Sequence, residues 1–208
     1  MTSFVVRTAG AEGSRAVARA LARHLRAGDL LVMDGPLGAG KTTFTQGLGA
    51  AMGVRGQVAS PTFVIARVHP ALADGPALVH VDAYRLSGGF DIEDLDLDAE
   101  LDDAVTVIEW GRDRVEHLAA SHLLVELDRE VQPVPVVDGR AEQGGDAIAT
   151  ESEALVDGAE EVDEPLAGDE PRTLTFTPAG PRWTPEAVAA LAADLESAAA
   201  GELEEETH

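Results

Sequence analysis

The sequence predicts an α/β fold: a three-layer sheet with helices on both faces, built as one small domain. Two observations predict it. Short apolar or β-branched runs alternate with stretches of helical periodicity along the first 128 residues. The glycine-rich stretch "GPLGAGKTTF", Gly35 to Phe44, stands between one such apolar run and one such helical stretch, as the turn of a strand–turn–helix unit does.

The elements follow in order. "SFVVRT" reads as a first strand, and "EGSRAVARALARHLR" as a helix in which Val17, Leu21 and Leu25 recur at four-residue spacing with arginines on the other face. "GDLLVMDG" supplies a turn and then a buried strand over Leu30–Met33. "TTFTQGLGAAMG" continues as a helix ending near Gly53. Further strands are expected at Thr62–Val68, Ala77–Ala83, Ala104–Trp110 and His122–Leu127. "RTLTFTPAG" reads as one more strand. "TPEAVAALAADLESAAAGELEEE" reads as a C-terminal helix with Thr184 as N-cap and Pro185 at the first helical position.

Between the last two strands the pattern breaks. Residues 129–171 contain no aromatic residue and are rich in Ala, Gly, Pro and acids, a composition that cannot bury enough apolar area to offset its ordering entropy. The chain is therefore expected to divide into a folded unit (1–128 with 172–182), an acidic, disordered insertion (129–171) and a C-terminal helix with an acidic tail (183–208). The net charge of −23 divides the same way: 14 acidic and 2 basic residues lie in Asp128–Glu170, and 7 acidic and no basic residues in Trp183–His208, which leaves the folded body only mildly acidic. No basic groove is apparent, so direct nucleic-acid binding is not expected. Without cysteine, neither a disulfide framework nor a thiolate metal site is possible. No secretory leader and no run approaching about 18 apolar residues is seen, so a cytoplasmic protein with no membrane contact is expected.

Gly35–Thr42 matches GxxxxGK[ST] completely and lies where the chemistry needs it, after a buried strand and at the start of a helix. Gly35, Gly38 and Gly40 allow the backbone to curl so that successive N–H groups face phosphate oxygens, and the positive end of the following helix adds to the anion site. Lys41 is the sole lysine beside fourteen arginines. This position calls for a compact ammonium rather than a planar fork. Thr42 offers a hydroxyl to Mg²⁺. A P-loop also needs an acid at the end of a neighbouring apolar strand. Glu109 ends "VTVIE" and Asp82 ends "ALVHVD", where His80 shares its face by two-residue alternation. In "ASPTF", Ser60 and Thr62 are hydroxyls suited to sense a γ-phosphate. "DIEDLDLDAELDD" has no glycine at the sixth position of any suitable calcium-loop register and reads as a solvated segment.

"GPLGAGKTTF", "SPTF", "HVDAYRL" and "VIEWG", in that order, resemble the TsaE family, the P-loop ATPase subunit of the bacterial machinery that makes threonylcarbamoyladenosine on tRNA. The resemblance covers roughly residues 3–128 and resumes at 172–180. It implies a P-loop NTPase-like fold. It also implies an ATP substrate held by Gly35, Leu37, Gly38, Ala39, Gly40, Lys41, Thr42 and Thr43, with Ser14 beside the base, and Mg²⁺ held by Thr42 and Glu109. Lys41, Thr62, Asp82 and Glu109 are the implied catalytic set, and Tyr84, Arg85 and Trp110 match motif positions near the site or the partner surface. The implied partners are the TsaB and TsaD proteins, with a monomer when alone, and the implied role is the threonylcarbamoylation of adenosine 37. Pro36, Ser14, His69 and the insertion depart from the family pattern. Two other readings share Lys41 and Thr42: a small-molecule kinase and a nucleotide-dependent switch without hydrolysis.

Overall fold

The computed structural model describes residues 2–61, 65–84, 102–129 and 170–205. Seven strands form one mixed sheet in the order β1-β7-β6-β2-β5-β4-β3. They are β1 (Phe4–Thr8), β2 (Leu30–Asp34), β3 (Ala66–His69), β4 (Ala77–Asp82), β5 (Ala104–Glu109), β6 (His122–Arg129) and β7 (Arg172–Ala179). The α-helices of the described residues are α1 (Ala11–Ala22), α2 (Lys41–Met52) and α3 (Pro185–Glu205).

The centre of the sheet is parallel: β2 lies between β5 and β6, and β5 pairs with β4. Its edges are antiparallel, through β6–β7–β1 on one side and β4–β3 on the other. The sequence pattern follows from this placement. β2 and β5 are buried along almost their whole length and read as runs of apolar or β-branched residues, whereas β6 and β7 largely alternate buried and half-buried positions. One face packs Leu31, Met33, Val107 and Val125 against Val17 and Leu21 of α1, Phe44 and Leu48 of α2 and Leu191 and Leu195 of α3. The opposite face gathers Leu30, Val32, Val81 and Ile108, covered among the described residues by Val115, Leu118 and Ala119 around the short 3₁₀ turn Glu116–Leu118.

Element boundaries shift slightly from the sequence reading. α1 ends at Ala22, and its last turn tightens as His24 N–H donates to Leu21 O (2.9 Å). β3 begins only at Ala66, with residues 62–64 of the expected strand outside the described residues. α2 ends where expected, on Gly53 at φ 65°, whose N–H caps Ala50 O. Thr184 caps α3 as its spacing predicts, Oγ1 accepting from Ala187 N–H at 3.3 Å. Most of the acidic insertion (130–169) and of the acidic stretch (91–101) lies outside the described residues. Among the described residues no helix is long and apolar enough to cross a membrane.

Candidate nucleotide site

The loop from β2 to α2 sits at the carboxyl ends of the parallel strands, the crevice where open α/β sheets hold their ligands. Its curl depends on glycine at two points. Gly35 has φ 139°, and a Cβ there would stand 2.2 Å from Leu127 O. Gly40, the residue before α2, has φ 102°, a conformation closed to most L-residues. This geometry aims the first turn of α2 into a cleft of about 220 Å³.

Lys41 opens α2 and is only 5% exposed. Its ammonium donates to Gly35 O at 2.6 Å and Pro36 O at 3.1 Å and lies 3.7 Å from the centroid of the Trp110 ring. Burial lowers its pKa from the ordinary lysine value, opposed by the negative charges of Glu109, Asp34 and Asp82. Thr42 follows, and its Oγ1 donates to Glu109 Oε1 at 3.0 Å, with Oε2 at 3.4 Å. The register Asp82↔Glu109 sets the two strand-end acids side by side, and both line the cleft. Asp82 Oδ1 accepts from Tyr84 N–H at 3.0 Å, a turn that fixes its carboxylate. The buried His80 reaches Glu109 Oε1 at 2.8 Å.

After Glu109 the chain turns sharply. Trp110 adopts φ 62°, a left-handed conformation that costs a bulky residue about 1–3 kcal/mol and collects at functional sites. Its N–H donates to Met33 O at 2.9 Å, and its ring packs on Tyr84 at 5.2 Å between centroids.

Most of the residues expected at the site therefore converge. Leu37, Gly38, Gly40, Lys41, Thr42, Thr43, Ser60, Asp82 and Glu109 line the cleft with Trp110. Ala39 is buried in the helix-side core, contributing backbone to the loop. Ser14 is not brought to the cleft: it is buried in α1, where its hydroxyl lies 3.1 Å from Gly10 O and 3.3 Å from Thr8 Oγ1. Thr62 and Arg85 lie outside the described residues.

Two residues beside the loop carry no motif. Arg129 Nε donates to Gly38 O at 2.6 Å while its Nη1 pairs with Glu170 at 2.9 Å. Arg172, its cross-strand partner, is buried behind Gly40. Their only trace in the sequence is that one arginine stands at each end of the acidic insertion.

The sheet and this loop define a class: an α/β protein of the P-loop type, with a strand-end carboxylate bonded to the hydroxyl that follows the loop lysine. The chain belongs to the TsaE family. The family model described as "Threonylcarbamoyl adenosine biosynthesis protein TsaE" matches residues 8–134. The "tRNA threonylcarbamoyladenosine biosynthesis protein TsaE" of Streptomyces coelicolor is 64% identical over 118 residues, 56% of this chain and 80% of the relative. The protein of the same name from Mycobacterium leprae is 48% identical over 125 residues, 57% of this chain and 78% of the relative. Among solved structures, the crystal structure of Bacillus subtilis YdiB superposes with a TM-score of 0.57 at 25% identity, covering 92% of this chain and 95% of that one.

Proposed function

We propose that this chain is the Mg²⁺-dependent, ATP-binding and ATP-hydrolysing subunit of threonylcarbamoyladenosine formation at adenosine 37 of tRNA, acting on a TsaB–TsaD pair. The observation that carries the reading is the bond from Thr42 Oγ1 to Glu109, which joins the start of the P-loop helix to the end of a neighbouring strand beside the buried Lys41. The pathway follows from the family and from the names its relatives bear.

The donors suit a hard cation, because a hydroxyl and a carboxylate are oxygen ligands of the kind Mg²⁺ takes when it shares its coordination sphere with substrate phosphates and water. Thr42 and Glu109 would hold that ion, which when bound would supply neutralisation of phosphate charge. The rest is work for the chain's own side chains. Lys41 would exchange the carbonyls of Gly35 and Pro36 for phosphate oxygens, and the backbone N–H groups from Gly38 to Thr43 would cradle the rest of the triphosphate. Asp82, in register with Glu109 and lining the same cleft, would orient the attacking water.

The test is phosphate release from ATP with Mg²⁺, by the protein alone and with a TsaB–TsaD pair added. Stimulation by the pair that vanishes in Lys41→Ala and in Glu109→Ala is the expected result. Absence of stimulation, with tight ATP binding retained, would leave the P-loop reading intact and reopen the choice between a nucleotide-dependent switch and a small-molecule kinase.

A further inference from the structure

We propose that His80 is a positioning residue: it fixes the rotamer of Glu109 so that one carboxylate oxygen is committed to the protein and the other is left for the bound cation. The proposal rests on the Mg²⁺–ATP reading above. β4 and β5 run parallel with His80 opposite Val107 and Asp82 opposite Glu109, so the His80 ring reaches forward along the sheet to the next acid. Its Nε2 lies 2.8 Å from Glu109 Oε1, and Thr42 Oγ1 donates to the same oxygen at 3.0 Å. Among the described residues, Oε2 carries only the 3.4 Å contact from Thr42. A carboxylate can only accept, so the facing Nε2 bears the hydrogen, while Nδ1 finds no partner among the described residues.

That arrangement is costly if it serves packing alone. The His80 side chain is 0% exposed, set between Val79 and Val81 along β4 and opposite Val107 of β5, and Nδ1 has no hydrogen-bond partner among the described residues. A buried polar group with half its capacity unused destabilises a core that an aliphatic side chain would fill better. What the histidine adds is a second donor on Oε1, from a strand and not from the P-loop helix. Thr42 alone would let the carboxylate swing about its single tether. Two donors from two elements hold it, in the manner of outer-shell partners that orient a metal ligand.

Two variants separate this role from packing. The amide nitrogen of His80→Gln stands about where Nε2 does and can still donate to Glu109, whereas that of His80→Asn stands about where Nδ1 does and falls short. For wild type and both variants, thermal melting is measured, then ATP affinity with and without Mg²⁺, then Mg²⁺-dependent phosphate release with a TsaB–TsaD pair. The expected result is unchanged metal-free ATP affinity in all three. In His80→Asn the gain in affinity on adding Mg²⁺ shrinks by about 10- to 100-fold, the usual effect of removing an outer-shell partner, and His80→Gln recovers most of it. The inference is overturned if His80→Asn keeps the wild-type response to Mg²⁺, or if the two variants lose it equally. A wild type whose affinity responds to Mg²⁺ through His80 but which releases no phosphate would sink hydrolysis and leave the positioning role standing.

Discussion

Lys41 shows at the scale of one residue why arginine, used at every other basic position, is absent here. The ammonium sits between Gly35 O, Pro36 O and the face of Trp110, a space for a compact cation with freely directed donors. A guanidinium carries five donors in a fixed plane and cannot occupy it without moving the loop. Lys41→Arg is therefore expected to weaken ATP binding by about tenfold or more, some 1.4 kcal/mol, despite the conserved charge. A titration with fluorescent ATP checks this, and wild-type affinity would refute the steric account. The lysine, the threonine and the two strand-end acids were legible in the sequence because their signals are local: a motif in one case, the last residue of an apolar run in the others. Arg129 and Arg172 were not, since they reach the loop only through the pairing of β6 with β7. The tilt of Trp110 over Lys41 was not legible either, because it depends on a left-handed backbone that no tryptophan advertises.

At the scale of elements, the helices and strands were readable where periodicity and caps agree. α3 begins where Thr184 and Pro185 place it, and the capping bond to Ala187 N–H forms as the residue types require. Thr184→Ala is expected to cost about 1 kcal/mol, the usual loss for an N-cap hydroxyl. In a domain of this size that lowers the melting temperature by about 2–4 °C, which calorimetry resolves. α3 is also held from outside its own sequence. Just before it, Arg182 pairs with the buried Asp29 (Nε to Oδ1, 3.1 Å) and donates to His24 O at 2.7 Å, tying the entry of α3 to the α1–β2 turn. Nothing in the spacing of these residues marks that tie, since it joins positions far apart in the chain. The early end of α1 has a similar cause: the turn that follows must deliver Asp29 to this contact and Leu30 to the sheet centre.

For the whole molecule, the sheet order decides what can vary and what cannot. β6 and β7 are antiparallel neighbours whose register runs to Arg129↔Arg172, so residues 130–169 leave and re-enter at adjacent points. The cost of closing such a loop changes by only about 0.6 kcal/mol per doubling of its length. Replacing 130–169 by a short turn is accordingly expected to leave the melting temperature equal or higher and ATP affinity within about threefold. A collapse of either would show that the segment contributes to the folded unit. The order of the strands was beyond reading in the sequence, because pairing partners lie far apart in the chain. That order has a consequence in time. β2, which leads into the P-loop, finds both of its neighbours only after residue 104, in β5 and β6. During synthesis the glycine-rich loop thus emerges long before the acid that faces it, on a strand with both edges unpaired and prone to join other chains. Contacts of such sequence separation fold slowly. The nascent chain passes through a window in which its central strand has no native partner; β5 supplies the first, and the second edge is covered only when β6 has left the ribosome.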